Sequence, residues 1–348
     1  KRTKGKKMNN IKKIGLTALA GSLVMVSANA VDYTMSGGMM ATYTTQDSPS
    51  ANANNGKGIG TATDLSFNAS GELDNGYTVS YFMGVDTDGA LSNTSSQMTV
   101  GMGSLGTLQL NNKFGSKANA IDDITPNAYN ETWDGLSTVN PSFFGSSTTA
   151  GSIDYRIPAQ EIMGVTVNAS YTYDPAADQA GAAKGGVTAS NTGSGNAYTL
   201  QLSHESGLEI GGGIEEVNTN SGLTSAQGLD RSTVYAKYAV GGLTVAYQEA
   251  FENAATSAAV DTGADREASF MGVAYTMNDL TLSYAESELG TLAISDTVAS
   301  TTEELTSIQA AYVMGAMTVS LALSETDNLG GTAGDTYEEN TLAVSFAF

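Results

Sequence analysis

The sequence contains no cysteine. Disulfide frameworks, thiol nucleophiles and thiolate metal sites are excluded. A chain without thiols also suits export through an oxidising periplasm. A single histidine, His204, leaves no ligand set for a transition metal. Only five prolines occur in 348 residues, too few for a Pro-rich linker. Long apolar runs are also missing. Beyond the first thirty residues none approaches the roughly 20 residues of a membrane helix, and the mean hydropathy is only -0.13. Bases are scarce: 15 Lys and Arg stand against 36 Asp and Glu. Seven of those bases (Lys1, Arg2, Lys4, Lys6, Lys7, Lys12, Lys13) precede residue 14, and no acid precedes Asp32. Residues 31–348 therefore hold eight bases and 36 acids, a net charge of −28. Such a surface repels nucleic acid and attracts cations.

What is present begins with an address. Lys12-Lys13, the apolar stretch Ile14–Val26 and Ser27-Ala28-Asn29-Ala30 form the basic, apolar and small-residue regions of a secretory signal peptide over residues 1–30. Residues 1–7 read as an extension upstream of Met8, and the exported domain as 31–348. The apolar stretch is too short to span a bilayer.

The remainder alternates with period two. Val165, Val167, Ala169, Tyr171 and Tyr173 share one face of a strand, and Thr166, Asn168, Ser170 and Thr172 the other. The same pattern recurs at Tyr77–Val85, Met317–Leu323 and Leu342–Phe348. The polar faces are small (Ser, Thr, Asn, Gly, Ala), as a water-filled interior requires. No amphipathic helix is left over to cover a soluble sheet.

Sixteen strands are predicted, near 31–45, 60–73, 76–86, 95–103, 106–114, 151–157, 164–173, 196–204, 207–216, 231–238, 243–250, 266–275, 280–286, 303–312, 317–325 and 339–348. Short turns such as Asp74-Asn75-Gly76 and Val240-Gly241-Gly242 alternate with long polar loops. That rhythm, with an even strand number, predicts an all-β transmembrane antiparallel barrel. Tyr43, Tyr77, Tyr173, Tyr238, Tyr275 and Tyr312 are candidates for its interfacial girdles.

Over residues 31–348 the chain resembles the general bacterial outer-membrane porins of the alphaproteobacterial type. The likeness rests on the signal peptide, the strand rhythm, the stretch Ile153-Asp-Tyr-Arg-Ile-Pro158 with Gly164–Tyr171, and the terminal Phe348. It implies a passive channel of the outer membrane for small hydrophilic solutes, surrounded by lipid and assembled as a homotrimer. It also implies a third long loop, here Gly115–Ala150, folded into the lumen. Leu342, Val344, Phe346 and Phe348 resemble the signal read by the barrel-assembly machinery. One departure matters. Such porins often set an arginine cluster against acids on that loop, but residues 31–348 offer only Lys57, Lys113, Lys117, Arg156, Lys184, Arg231, Lys237 and Arg266.

Channels select by bore and lining charge. The loop supplies Asp122, Asp123, Glu131 and Asp134 as candidate lining. Alternation places Gln109, Asn111, Lys113, Asp154, Arg156, Arg231 and Lys237 on the inner face. The expected lining is an acidic loop facing a sparse basic wall of Lys113, Arg156 and Lys237, and the net charge of −28 over residues 31–348 predicts a preference for cations. No cofactor is expected; the acidic loops are candidates only for weak Ca2+ binding.

Three motifs carry no chemistry. Gly101-Met-Gly103-Ser-Leu-Gly106 runs from strand to strand, without the helix a dinucleotide needs. Asp261-Thr262-Gly263 has no second copy for a carboxylate dyad within the chain. Ser203 and His204 are strand neighbours and point to opposite faces, so no enzyme is predicted. A substrate-specific channel and an acidic surface adhesin remain compatible with the composition. The long-short loop rhythm and the lack of a fixed short repeat disfavour the adhesin.

Overall fold

The structure is a computed structural model, and it describes residues 32–48, 55–86, 92–134, 141–145, 151–175, 194–217, 229–254, 265–292 and 301–348. The signal peptide at 1–30, Lys184 and the 261–263 triplet lie outside the described residues.

Among the described residues, seventeen strand segments form one antiparallel sheet. They are β1 (Asp32–Asp47), β2 (Gly56–Glu72), β3 (Thr78–Asp86), β4 (Ser92–Gly101), β5 (Thr107–Asn112), β6 (Ile153–Arg156), β7 (Gln160–Ile162), β8 (Val165–Asp174) and β9 (Gly195–His204). Then follow β10 (Leu208–Val217), β11 (Leu229–Val240), β12 (Leu243–Ala254), β13 (Asp265–Met277), β14 (Leu280–Leu292), β15 (Glu303–Met314), β16 (Met317–Asp327) and β17 (Thr336–Ala347). Both β6 and β7 pair with β8, so they share one position in the wall, which has sixteen. Between them stands Pro158, which has no N–H for the ladder. The sheet closes where β1 pairs with β17, from Gly38 opposite Ala347 to Asp47 opposite Glu338. Gly37 and Phe348 then exchange two more backbone bonds, of 2.7 and 2.9 Å. Closure leaves no free edge, as a hydrocarbon surround demands.

The sixteen predicted strands are all present. Their ends differ. Strand five stops at Asn112 because Lys113 takes a left-handed backbone (φ 69°), so the alternation count does not reach Lys113. β12 and β14 run on to Ala254 and Leu292, beyond the predicted 250 and 286. Gln160–Ile162 adds a segment where only a turn was expected.

The alternation sorts two surfaces. Leu200, Ile210, Val234, Tyr247, Met271, Leu282, Ile308, Leu321, Leu342 and Phe346 are exposed on the outside, an apolar band of the kind that transmembrane barrels carry. Tyr43, Tyr173, Tyr238, Tyr275 and Tyr312 stand on the same exposed face. The alternating residues Thr172, Gln248, Ser283, Ser307, Gln309 and Thr341 beside them on the same strands are buried, and so face inward. Short turns join the strands at one end. At Gly207 (φ 91°) a Cβ would lie 1.8 Å from the Ala239 carbonyl oxygen, so only glycine fits that turn. His204 sits at the same turn, where its Nδ1 accepts the Ser206 N–H at 3.1 Å.

Candidate constriction site

Among the described residues, the stretch after β5 contains no strand, only a short 3-10 turn at Asn119–Ile121. A backbone outside secondary structure must still satisfy its N–H and C=O groups. Here the inward side chains of the wall serve that purpose. Gln248 on β12 accepts from the Ile124 N–H at 2.9 Å and donates to the Ile121 carbonyl at 2.9 Å. Ser283 on β14 accepts from the Ala128 N–H at 2.9 Å. Gln309 on β15 accepts from the Tyr129 N–H at 2.8 Å and donates to the Asn130 carbonyl at 2.6 Å. Ser287 meets Thr132, and the Tyr129 hydroxyl reaches Met40 Sδ on β1 at 3.3 Å. The stretch thus packs against the polar inner side of β12, β14, β15 and β1.

Two apolar clusters back these bonds. Trp133 and Phe143 bury against Ala250, Ala268, Phe270, Leu289 and Leu305. The Trp133 and Phe270 rings meet edge-on with centroids 5.6 Å apart, worth about 1 kcal/mol beyond area burial. Phe144 packs with Ala118, Ile121, Ala197 and Tyr235.

Charge is arranged as a row across four strands. Arg231 on β11 stands opposite Glu215 on β10 and Glu252 on β12, and Glu252 stands opposite Arg266 on β13. The side-chain contacts follow that register. Arg231 Nε donates to Glu252 at 2.6 Å and Nη1 to Glu215 at 3.4 Å, and Arg266 Nε donates to Glu252 at 2.6 Å. The row also grips the loop. Glu215 accepts from the Gly145 N–H at 3.0 Å, and the Arg266 guanidinium lies 4.8 Å from the Phe143 ring centroid. Sequence reasoning did not assemble this row, although the inward parity of all four residues was its available signal.

The residues singled out from sequence fall into separate groups. Asp154 is fully buried on the inner face. It accepts from Arg156 Nε at 2.6 Å and from the Thr172 hydroxyl at 2.8 Å. Arg156 also donates to the Gly115 carbonyl at 2.9 Å, at the root of the loop. Lys237 pairs with Glu209 at 3.3 Å. Lys113 does not turn toward the acids; its ammonium donates to the Asn93 carbonyl on β4.

Asp122, Asp123, Glu131 and Asp134 form the fourth group. None makes an ion pair among the described residues. Asp123 accepts from the Thr125 N–H and hydroxyl, each at 2.7 Å. Burial, then the nearby Asp123, Asp122 and Asp134 charges, push the Glu131 carboxyl up to about 8. Burial pushes Asp123 up to about 6, with smaller additions from Asp122 and Asp134 and against its Thr125 hydrogen bonds. Asp122 and Asp134 are also raised, mainly by burial. Carboxyls that raise one another in this way share one electrostatic patch. No three acids or histidines among the described residues are placed to hold a metal ion.

The fold is shared with known channels. The anion-selective porin of Comamonas acidovorans superposes with a TM-score of 0.67 at 13% identity, over 92% of this chain and 100% of its own. The trimer form of OmpT from Vibrio cholerae gives 0.64 at 11% identity, over 92% and 100%. OmpF of Salmonella typhi gives 0.64 at 13%, over 92% and 98%. No curated protein matches this chain by sequence. The profile of the Gram-negative porin family matches residues 15–291, and the chain belongs to that family of outer-membrane barrels.

Proposed function

We propose that the protein is a passive channel for small hydrophilic solutes that favours cations, and that residues 115–134 and 141–145 narrow its water path. The observation that carries the reading is an imbalance of compensation. Arg156, Arg231, Lys237 and Arg266 on the inner wall each have a carboxylate partner. The loop acids Asp122, Asp123, Glu131 and Asp134 have no basic partner among the described residues. The facing wall adds to the same sign. Asp64 on β2 and Asp86 on β3 are cross-strand partners on the inner parity, and the one base of β1–β4, Lys57, falls on the outer parity. A passage bounded by the Asp122, Asp123 and Asp134 carboxylates, which have no basic partner among the described residues, concentrates cations and depletes anions.

The fold alone does not set the sign, since one fold relative is named for anion selectivity; the charges of this chain do. The zero-current potential in a salt gradient across a planar bilayer tests the proposal. A cation-positive permeability ratio at pH 7.5 is expected, and an anion preference would overturn it. A homotrimer is part of the same reading, supported by the trimer form of a fold relative. Light scattering of the detergent-extracted protein reads that directly. Any Ca2+ effect is expected to be one of screening at the loop carboxylates, without a built site.

A further inference from the structure

The inner wall is notched where the loop touches it. Along β13 the inward positions run Arg266, Ala268, Phe270, Gly272 and Ala274. A Cβ at Gly272 would stand 2.9 Å from Pro126 Cδ and 3.0 Å from Thr125 Cβ, well inside van der Waals contact. On β10 a Cβ at Gly213 would stand 2.6 Å from Phe144 Cζ and 2.8 Å from the Tyr198 carbonyl oxygen of the adjacent strand, so the loop is one of two reasons for glycine there. Neither glycine has a positive φ, so backbone conformation does not call for it. Both sit in strand interiors, where glycine marks a close approach of another chain segment. The loop is also fastened on either side of Pro126, by Ile124 to Gln248 and by Ala128 to Ser283. Pro126 therefore cannot slide along the wall to avoid an added side chain; it can only move away from it.

We propose that Gly272 is a positioning residue of the channel: its missing side chain is the seat of Pro126, and the depth of that seat sets the bore. Gly213 does the same for Phe144 in the second limb of the loop. The proposal rests on the reading of the loop as the constriction. A side chain at 272 bows residues 125–127 toward the axis between two fixed points, so the passage narrows.

The test uses the full barrel in planar bilayers, with correct folding checked by the heat-dependent shift on SDS gels. Gly272→Val is expected to lower single-channel conductance by roughly a third, because conductance follows the open cross-section. Gly272→Ala gives a smaller fall in the same direction and serves if the valine variant does not fold. Gly58→Val is the control: Gly58 shares the inner parity, and nothing lies within 4 Å of its built Cβ. No fall is expected there. A second readout uses the absence of cysteine, by introducing Ala128→Cys with Ser283→Cys. The disulfide is expected to form in the otherwise native chain and to form equally with Gly272→Val, because the Ala128–Ser283 contact is one of the two fixed points. Unchanged or increased conductance in both Gly272 variants overturns the seat and leaves the loop reading standing. Failure of the native-background disulfide overturns the loop reading itself.

Discussion

Replacing Glu131 by Gln should flatten the upper part of the pH dependence of ion selectivity. The groups facing Glu131 are acidic: Asp122, Asp123 and Asp134 on its own loop, and no base among the described residues. Its carboxyl is raised to about 8 and that of Asp123 to about 6. The patch then gains about two negative charges between pH 5 and pH 9, one centred near 6 and one near 8. One unit charge about 6 Å from a passing ion in water is worth about 0.7 kcal/mol, and screening at 0.1 M salt leaves about 0.4. That is about twofold in local concentration, upward for a cation and downward for an anion, hence about fourfold in their ratio per charge.

The assay is the zero-current potential in a KCl gradient, stepped from pH 5 to pH 9. The native channel should show a cation-to-anion ratio rising in two steps, and Glu131→Gln should keep the lower step and lose the upper. A native ratio that is flat between pH 7 and pH 9, or a glutamine variant that keeps the upper step, refutes the reasoning. The same shift affects stability in the opposite sense. A raised carboxyl favours the packed loop fully below its ordinary 4.5, and this contribution is lost as pH rises through about 8. Protease resistance of the loop should therefore decline over that range in the native protein, and less so in the glutamine variant.

Other consequences follow from named contacts. Arg231→Met removes the ion pair to buried Glu215 and one of the two ion pairs to buried Glu252, which keeps Arg266, and should cost about 3 kcal/mol; a lowered temperature for the SDS gel shift reads it, and an unchanged one contradicts the role of the row. Arg266→Gln removes both the Glu252 contact and the cation over Phe143. It should raise open-channel current noise while leaving the barrel folded, and unaltered noise counts against the grip on the second limb. Deleting Phe348 removes two backbone bonds at the closing seam, about 1 kcal/mol each. Refolding in detergent should survive while delivery to the outer membrane in cells falls several-fold; full delivery contradicts an assembly role for the last residue.

How much of this was legible in the sequence depends on which surface carried the signal. The strands were readable because the outer positions are apolar and the inner ones small and polar. Where a strand rises past the apolar band the outer positions turn acidic, at Glu249, Glu286 and Glu288 among others. The apolar alternation then ends although hydrogen bonding continues, which is why β12 and β14 run longer than predicted. At the inner face, parity placed Asp154 and Arg156 correctly on one side, because a two-residue spacing on one strand needs no knowledge of neighbours. The row from Glu215 to Arg266 needed three registers, and each depends on loop lengths that no local rule fixes.

The loop itself was harder still. Residues 115–150 have no period, so nothing in their own order says where they lie. The information resides in the wall, as polar side chains buried at Gln248, Ser283 and Gln309 and as a glycine at 272 amid bulkier inward neighbours. A wall facing only water has no need of a notch, and a glycine in a strand interior costs about 0.5–1 kcal/mol relative to alanine. An inward glycine whose neighbouring strands carry buried polar side chains, as Gln248 and Ser283 flank Gly272, therefore points to the place where something else packs inside. Gly58, inward with nothing within 4 Å, has no such neighbours bonded to the loop among the described residues.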